Sequence, residues 1–119
     1  MTVNELSLSE IAIALDLTLL TQPGSFSDIR PSAGYTSDLL SCVMAAATRQ
    51  SIWVTLQSHT NIVAVAALLE VSAVIITEAA MPEPSTILKA NQEGVVLFSA
   101  AQSSFAVCGK LWEMGLRAS

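Results

Sequence analysis

The polar segment at residues 57–61, Gln-Ser-His-Thr-Asn, separates two strongly apolar stretches and contains the only histidine of the chain. Residues 52–56 precede it, and residues 62–69, which follow it, carry no charge. A partly exposed loop histidine titrates near neutrality and can bind an anion, sense pH or transfer a proton. The neutral amides and hydroxyls beside it can hydrogen-bond a small ligand, or they can satisfy the loop backbone and cap a helix. This segment is therefore the first candidate site.

Signatures of several other chemistries are absent from the sequence. It contains no phosphate loop of the G-x-x-x-x-G-K-[ST] or G-x-G-x-x-G type, no legible Ser/His/Asp order and no second histidine to support a metal. Cys42 and Cys108 lie far apart in apolar stretches and form no C-x-x-C pair, so we expect buried structural thiols. We expect no cofactor and no metal.

The composition is that of one charge-poor domain. The chain has 119 residues, 52% hydrophobic and 13% charged, and its formal net charge is −5. Its five Lys and Arg are scattered, whereas a nucleic-acid-binding protein needs clustered cations to displace counterions from phosphates. No apolar run reaches the roughly 18 residues of a membrane helix, and residues 1–5 lack the basic start of a signal peptide. We expect a cytoplasmic domain that binds neither nucleic acid nor membrane.

The N-terminal third, residues 1–33, is the less regular part. Ser7 and Glu10 have the spacing of a capping box and predict a first helix. A strand is predicted at residues 17–20. The Pro- and Gly-containing segment that follows predicts a loop with a short strand near residues 26–30.

The remainder alternates strands and helices. Ser37 is predicted to cap a helix from residue 38 to about residue 48, and Asp38 in its first turn would suit the helix dipole. Further strands are predicted at 52–56, 73–76 and 95–98, and further helices at 61–70, 84–93 and 102–114, the last with Phe105, Cys108, Gly109 and Trp112 on one face.

This alternation predicts the fold class. Strand–helix–strand repeats at this spacing form right-handed βαβ crossovers, and the continuous apolar strands are typical of a sheet buried on both faces. We predict a single α/β domain over residues 1–119, with a parallel β-sheet, βαβ crossovers and helices on both faces; residues 34–116 form its regular core.

The fold in turn predicts where a site lies. Loops at the carboxyl ends of parallel strands converge on one edge, and ligands usually bind there. The helix N-terminus after residues 57–61 suits an anion or a carboxylate. Alternatively, Ser58 or Thr60 is simply an N-cap, and Gln57 and Asn61 satisfy loop backbone groups. The predicted ligand-binding residues are Tyr35, Ser37, Asp38, Gln57, Ser58, His59, Thr60, Asn61, Thr77 and Ser99.

The charge distribution predicts a second covering surface. Between residues 39 and 69, Arg49 is the only charged residue, so two successive helices lack a solvated face. A helix that is apolar nearly all round is buried on more than one side, which favours a homo-oligomer, first of all a dimer, or a partner subunit. The alternative is an exposed side that is merely rich in alanine, with Ala64, Ala66 and Ala67.

Four segments carry a resemblance to a known family. They are GYTSDLLSCVMAAA (34–47), IWVTLQSHTNIVAVAALLE (52–70), PEPSTILKANQEGVVLFS (82–99) and SSFAVCGKLWEMGL (103–116). The chain resembles stand-alone DRTGG-domain proteins over roughly residues 34–116. The first two segments together are the most specific. Residues 28–34, Asp-Ile-Arg-Pro-Ser-Ala-Gly, keep an Asp, an Arg and one Gly of the stretch that names the family.

The resemblance implies an α/β domain similar to the N-terminal domain of HPr kinase/phosphorylase and to the regulatory DRTGG domain of phosphate acetyltransferases. It also implies an association with redox genes, since some stand-alone members are labelled hydrogenase-associated or iron–sulfur-binding. Two distant cysteines do not hold a cluster in one chain. The family supplies no catalytic residues to carry over.

Three functions follow as hypotheses. The first is a non-catalytic regulatory, ligand-sensing or partner-docking module that works as a homo-oligomer or on a larger metabolic or redox enzyme. In it, a small anionic metabolite or nucleotide sits at residues 57–61. The second is a small enzyme in which His59 is the acid/base and Asp38 or Glu78 its partner. The third is a purely structural adaptor whose loop polar groups bond to one another.

Overall fold

In the part of the chain that the structure describes, five strands and five helices alternate, except that the first two strands follow each other directly. The computed structural model describes residues 6–24 and 26–118. The strands are Thr18–Leu19 (β1), Gly34–Thr36 (β2), Ile52–Thr55 (β3), Ala73–Ile76 (β4) and Leu97–Ser99 (β5). The helices are Leu8–Ala14 (α1), Leu40–Ala46 (α2), Asn61–Leu69 (α3), Pro84–Glu93 (α4) and Ser104–Glu113 (α5).

The strands form one sheet in the order β1-β5-β4-β3-β2. Strands β2 to β5 are parallel, with Trp53 opposite Val74 in the central pair, and β1 joins the edge antiparallel to β5. All residues of β3 and β4 are buried, as expected for strands covered on both faces. The predicted α/β class is confirmed, with one antiparallel strand added at the edge.

The side chains of β3 alternate between two apolar clusters. Ile52 and Val54 face the side covered by α1 and α5. Trp53 faces the side covered by α2, α3 and α4, and its indole N–H donates to the carbonyl of Ser37 at 2.9 Å. The N-terminal third belongs to the core, because Leu8 on α1 is fully buried in the first cluster.

Local signals set several of the helix ends. The capping box of α1 is confirmed: the Ser7 hydroxyl accepts from the Glu10 N–H, and the Glu10 carboxylate accepts from the Ser7 N–H. Pro84 opens α4, and Gly94, with φ of 72°, ends it as predicted. The helices have seven to ten residues. Within the described residues, none is long and apolar enough to cross a membrane.

Helix α2 begins later than predicted. It starts at Leu40, so Ser37 is not its N-cap and Asp38 is not in its first turn. The Ser37 hydroxyl accepts instead from the Leu39 N–H, in a turn before the helix. Asp38 is held by hydrogen bonds to the end of β3, and this contact across the sheet outweighs its local preference for a helix start.

The segment between β1 and β2 also differs from the prediction. Residues 26–30 form no strand. Phe26 packs edge-on against Phe98, with ring centroids 5.7 Å apart, and Ile29 accepts from the Leu8 N–H through its carbonyl. These apolar residues cover the core from a loop. The sequence pattern of such a loop does not differ from that of a short strand. The strand lies later, at Gly34–Thr36, where three residues are too few to give a periodic signal.

Two expectations about burial are corrected or refined. Cys42 is exposed rather than buried, because the short helix α2 turns only Val43 fully into the core. On α5, Phe105, Gly109 and Trp112 point outward, and Phe105 is 91% exposed. The buried residues of α5 are Val107 and Leu111.

Two glycines should respond to alanine with opposite signs. A Cβ at Gly34 would lie 3.2 Å from the Leu116 side chain, whereas at Gly109 in α5 it would meet nothing within 4 Å. We expect Gly34→Ala to lower the free energy of unfolding by about 1 kcal/mol through crowding. Gly109→Ala should raise it by about 1 kcal/mol, because alanine favours a helix interior. Urea unfolding monitored by circular dichroism measures both changes. If both variants shifted the free energy of unfolding in the same direction, the packing described at Gly34 and Gly109 would be contradicted.

Candidate functional site

The carboxyl ends of β2 and β3 are joined by Asp38. Its Oδ1 accepts from the Thr55 hydroxyl and from the Leu56 N–H, both at 2.8 Å. The Gln57 side-chain amide donates back to the Asp38 carbonyl at 3.0 Å. Asp38 and Gln57 therefore come together as predicted, but the bonds join them to each other. Thr55 is fully buried, so Asp38 supplies the partner that its hydroxyl needs.

A second polar group lies at the ends of β4 and β5. Glu78 accepts through Oε2 from the Ser104 N–H at 2.9 Å, which places a carboxylate at the positive end of α5. The fully buried Thr77 shares a hydroxyl–hydroxyl hydrogen bond with Ser104. Glu78 and Ala79 both adopt left-handed backbone, with φ of 61° and 56°, a conformation that costs roughly 1 kcal/mol or more per residue. Their N–H groups donate to the β5–α5 loop, to Gln102 and to Ala100, and hold this turn in place.

His59 lies two residues before the start of helix α3. Its Nδ1 accepts from the Asn61 N–H at 3.2 Å, so a neutral ring carries its proton on Nε2. Thr60 occupies the N-cap position, as one alternative expected, but its side chain makes no capping hydrogen bond. The next N–H groups, of Ile62 and Val63, are satisfied by the carbonyls of His59 and Thr60. The side-chain acceptor at this helix end therefore comes from His59, one residue before the N-cap.

The other predicted residues are spread around this edge. Ser58 accepts through its carbonyl from the buried Thr86 hydroxyl of α4, and the Tyr35 hydroxyl donates to the carbonyl of Cys42. Ser99 ends β5 opposite Thr18, on the far side of the sheet from β2. Thr55 and Thr86 also belong to this polar edge, and the sequence did not predict them. A buried threonine at a strand end or in a first helical turn gives no distinctive signal.

A cavity lies away from this polar edge. It has a volume of about 170 Å³, its walls are almost entirely apolar, and it lies between α5, β2 and the C-terminal residues. Of the predicted set, Tyr35 borders it. The lining residues are Gly34, Tyr35, Thr36, Val54, Cys108, Leu111, Trp112, Leu116, Arg117 and Ala118. This cavity was not predictable from the sequence, because it depends on the return of residues 116–118 to β2.

One side chain in this cavity has a shifted pKa. Burial raises the pKa of the Cys108 thiol above its usual value, and a hydrogen bond with the Thr36 side chain opposes this effect to a smaller extent. The thiol is therefore neutral around neutral pH. Within residues 6–24 and 26–118, no group of three or more His, Cys, Asp or Glu side chains is placed to hold a metal ion.

The fold has a counterpart among solved structures. No protein-family model and no curated protein matches the chain. The chain is similar to the crystal structure of the CBS and DRTGG domains of the regulatory region of Clostridium perfringens pyrophosphatase complexed with its activator, diadenosine tetraphosphate. The TM-score is 0.73 at 18% identity, over 93% of this chain and 47% of that one, so our chain spans about half of its length. At this identity the likeness shows the fold alone, and that α/β fold is compatible with the DRTGG-like domain expected from the sequence.

Removal of the Asp38 carboxylate tests the role of this edge. We expect Asp38→Ala to lower the free energy of unfolding by about 1–2 kcal/mol, because it leaves the buried Thr55 hydroxyl and the Leu56 N–H without their acceptor. Asp28→Ala, which removes an exposed carboxylate in a turn, is the matched control and should stay within about 0.5 kcal/mol. Urea unfolding measures both. Equal losses would show that Asp38 does not hold β2 to β3.

Proposed function

We propose that this domain is a non-catalytic regulatory module that acts through a second protein surface and responds to a small ligand. The observation that carries the proposal is the uncharged outer surface of α2 and α3. The similar fold of a regulatory region that binds an activator supports the same direction. In this proposal the module works in the cytoplasm, as a homo-oligomer or on a larger metabolic or redox enzyme.

The docking surface consists of the exposed side chains of α2 and α3. Leu39, Met44 and Leu68 are 60%, 50% and 67% exposed, and Ala64 lies one helical turn before Leu68. Arg49 is the only charged residue between residues 39 and 69, and it is paired with Glu70 at 2.8 Å beyond the end of α3. Exposed apolar side chains without interspersed charge are typical of an interface.

The occupant that fits this surface best is a second copy of the chain. A basic partner would be met by acidic side chains and an acidic partner by basic ones, and this surface has neither. Since the rest of a chain of net charge −5 repels its copy, an uncharged face is where two copies approach at least cost. A standard interface takes about 800 Å² per partner. That is roughly an eighth of the 6190 Å² that the domain exposes.

The ligand part of the proposal concerns residues 57–61. A small anionic metabolite, or the phosphate of a nucleotide, accepts a hydrogen bond from Nε2–H of His59, whose Nδ1 stays on the Asn61 N–H, and uses the positive end of α3. Because the outer side of the same helix belongs to the docking surface, differential binding at its N-terminus biases the packing of α3 against the partner.

Catalysis by His59 has less support. An acid–base pair needs its partners within roughly 3 Å or one water apart. Among the described residues, Arg49–Glu70 is the ion pair, and no carboxylate lies within 4.0 Å of the His59 nitrogens. The hydrogen bonds that tie the edge groups to one another favour a structural or regulatory role for them.

The oligomeric part is tested by introducing a charge on this surface. Light scattering after size exclusion should give twice the 12.5 kDa of one chain. Leu68→Glu should dissociate this dimer, because it buries an unpaired carboxylate in the interface. Ile13→Glu is the matched control, since Ile13 is 82% exposed on α1 in the opposite layer, and it should leave the mass unchanged. A monomer at every concentration, or dissociation by both variants, would contradict the proposal.

The ligand part is tested with nucleotides and small phosphorylated acids. One compound should raise the melting temperature, and His59→Ala should weaken its binding without unfolding the domain, at a cost of about 1 kcal/mol for the lost cap. Gln92→Ala, an exposed change on α4, is the control. If the binding isotherms of His59→Ala and the native chain did not differ, the proposal that residues 57–61 bind the ligand would be wrong.

A further inference from the structure

The cavity between α5 and β2 has the size of a small-ligand site. Apolar cavities of about 150 Å³ hold a benzene molecule, and this one has about 170 Å³. Val54, Leu111 and Leu116 are buried in its walls, and Cys108 is half-buried. Such walls can hold one apolar aromatic ring. They offer almost no hydrogen-bond partner to a ring with polar atoms.

A cation borders the cavity. The Arg117 guanidinium lies 4.2 Å above the ring of Trp112, which is 55% exposed, and its Nη1 donates to the Trp112 carbonyl. In the part of the chain that the structure describes, no carboxylate forms an ion pair with Arg117. The remaining N–H groups of the fork are available to an anion, and the stacked guanidinium is well placed for one.

We propose that this cavity binds a small aromatic carboxylate, with its ring in the apolar cavity and its anionic group on Arg117. The ring matches the apolar walls and the volume. The single anion matches Arg117, the one cation among the residues that line the cavity. A neutral aromatic compound would use the cavity alone, and a small acid without a ring would use Arg117 alone.

A peptide strand added to the edge of β2 is the less favoured occupant. The Gly34 N–H already donates to the Arg117 carbonyl at 2.9 Å, and Leu116 lies against Gly34. Residues 116–118 of the chain thus cover part of this edge, and they form a wall of the cavity rather than leave it open.

The two cysteines provide a direct readout of occupancy. Cys108 lines the cavity, whereas Cys42 is exposed on α2, on the other face of the sheet. Phenylacetate should slow alkylation of Cys108 at mildly alkaline pH and leave Cys42 unaffected, as measured by mass spectrometry of the peptides. Phenylacetamide, which has the ring without the charge, should protect Cys108 only at higher concentration. Acetate should protect neither cysteine.

Two variants separate the ring from the charge. Arg117→Gln should weaken phenylacetate binding about tenfold at low ionic strength, because it removes a charge-assisted hydrogen bond, and should leave phenylacetamide unaffected. Arg30→Gln removes the same charge from a distant loop and should change neither. Cys108→Leu fills the cavity and should abolish the binding of both compounds. Binding is measured by the change in tryptophan fluorescence, since Trp112 borders the cavity.

The proposal is overturned if phenylacetate and phenylacetamide bind equally, if both cysteines are protected alike, or if Arg30→Gln weakens binding as much as Arg117→Gln. It is independent of the ligand proposed at residues 57–61, because that turn lies at the carboxyl end of β3 and leads into α3, in the other helical layer. A compound that protects Cys108 and is indifferent to His59→Ala belongs to the cavity. A compound that His59→Ala affects and that does not protect Cys108 binds at residues 57–61.

Discussion

The burial of β3 and β4 on both faces is the constraint on which the rest of the molecule depends. Every residue of these two strands is buried, so a chain of 119 residues must supply two helical layers to cover them. It does so with five helices of at most ten residues. Helices this short gain little stability from their own hydrogen bonds and depend on packing. In α2 a single residue, Val43, is fully buried, and most of the remaining surface of this helix is exposed and uncharged.

The same burial explains the polar edge. The hydroxyls of Thr55, Thr77 and Thr86 are fully buried where the strands end or a helix begins, and each needs a partner. Asp38, Ser104 and the Ser58 carbonyl supply these partners, and Glu78 takes the N-terminus of α5. A ligand at this edge has to replace bonds that the chain already makes. The apolar cavity imposes no such cost, because its walls have few polar groups to satisfy.

Signals confined to a few neighbouring residues were predictable from the sequence. The Ser7–Glu10 capping box, the strand at residues 73–76 and the helix from Pro84 to Gly94 depend on local spacing and on breakers, and the structure has them at these positions. Features decided by contacts across the sheet were not predictable. The local sequence places Asp38 in a helix, but its carboxylate accepts a hydrogen bond from Thr55 at the end of β3 and lies outside the helix. The sequence predicted His59 as a site residue beside better capping residues, but its side chain supplies the acceptor for the first N–H of α3.

Strand β3 connects the two proposed surfaces physically. Trp53 packs beneath α2 and α3 and donates to the Ser37 carbonyl next to Asp38, while its neighbour Val54 lines the cavity on the opposite face. Because the interior is close-packed, a shift of β3 caused by a ring bound in the cavity would also displace the side chains beneath the docking surface. Contact alone does not make the surfaces cooperative. A ligand changes the monomer–dimer equilibrium only by the difference between its affinities for the two states, and dimerisation then changes ligand affinity by the same factor. The affinity of phenylacetate measured on the native chain and on Leu68→Glu therefore gives the coupling between the two faces directly.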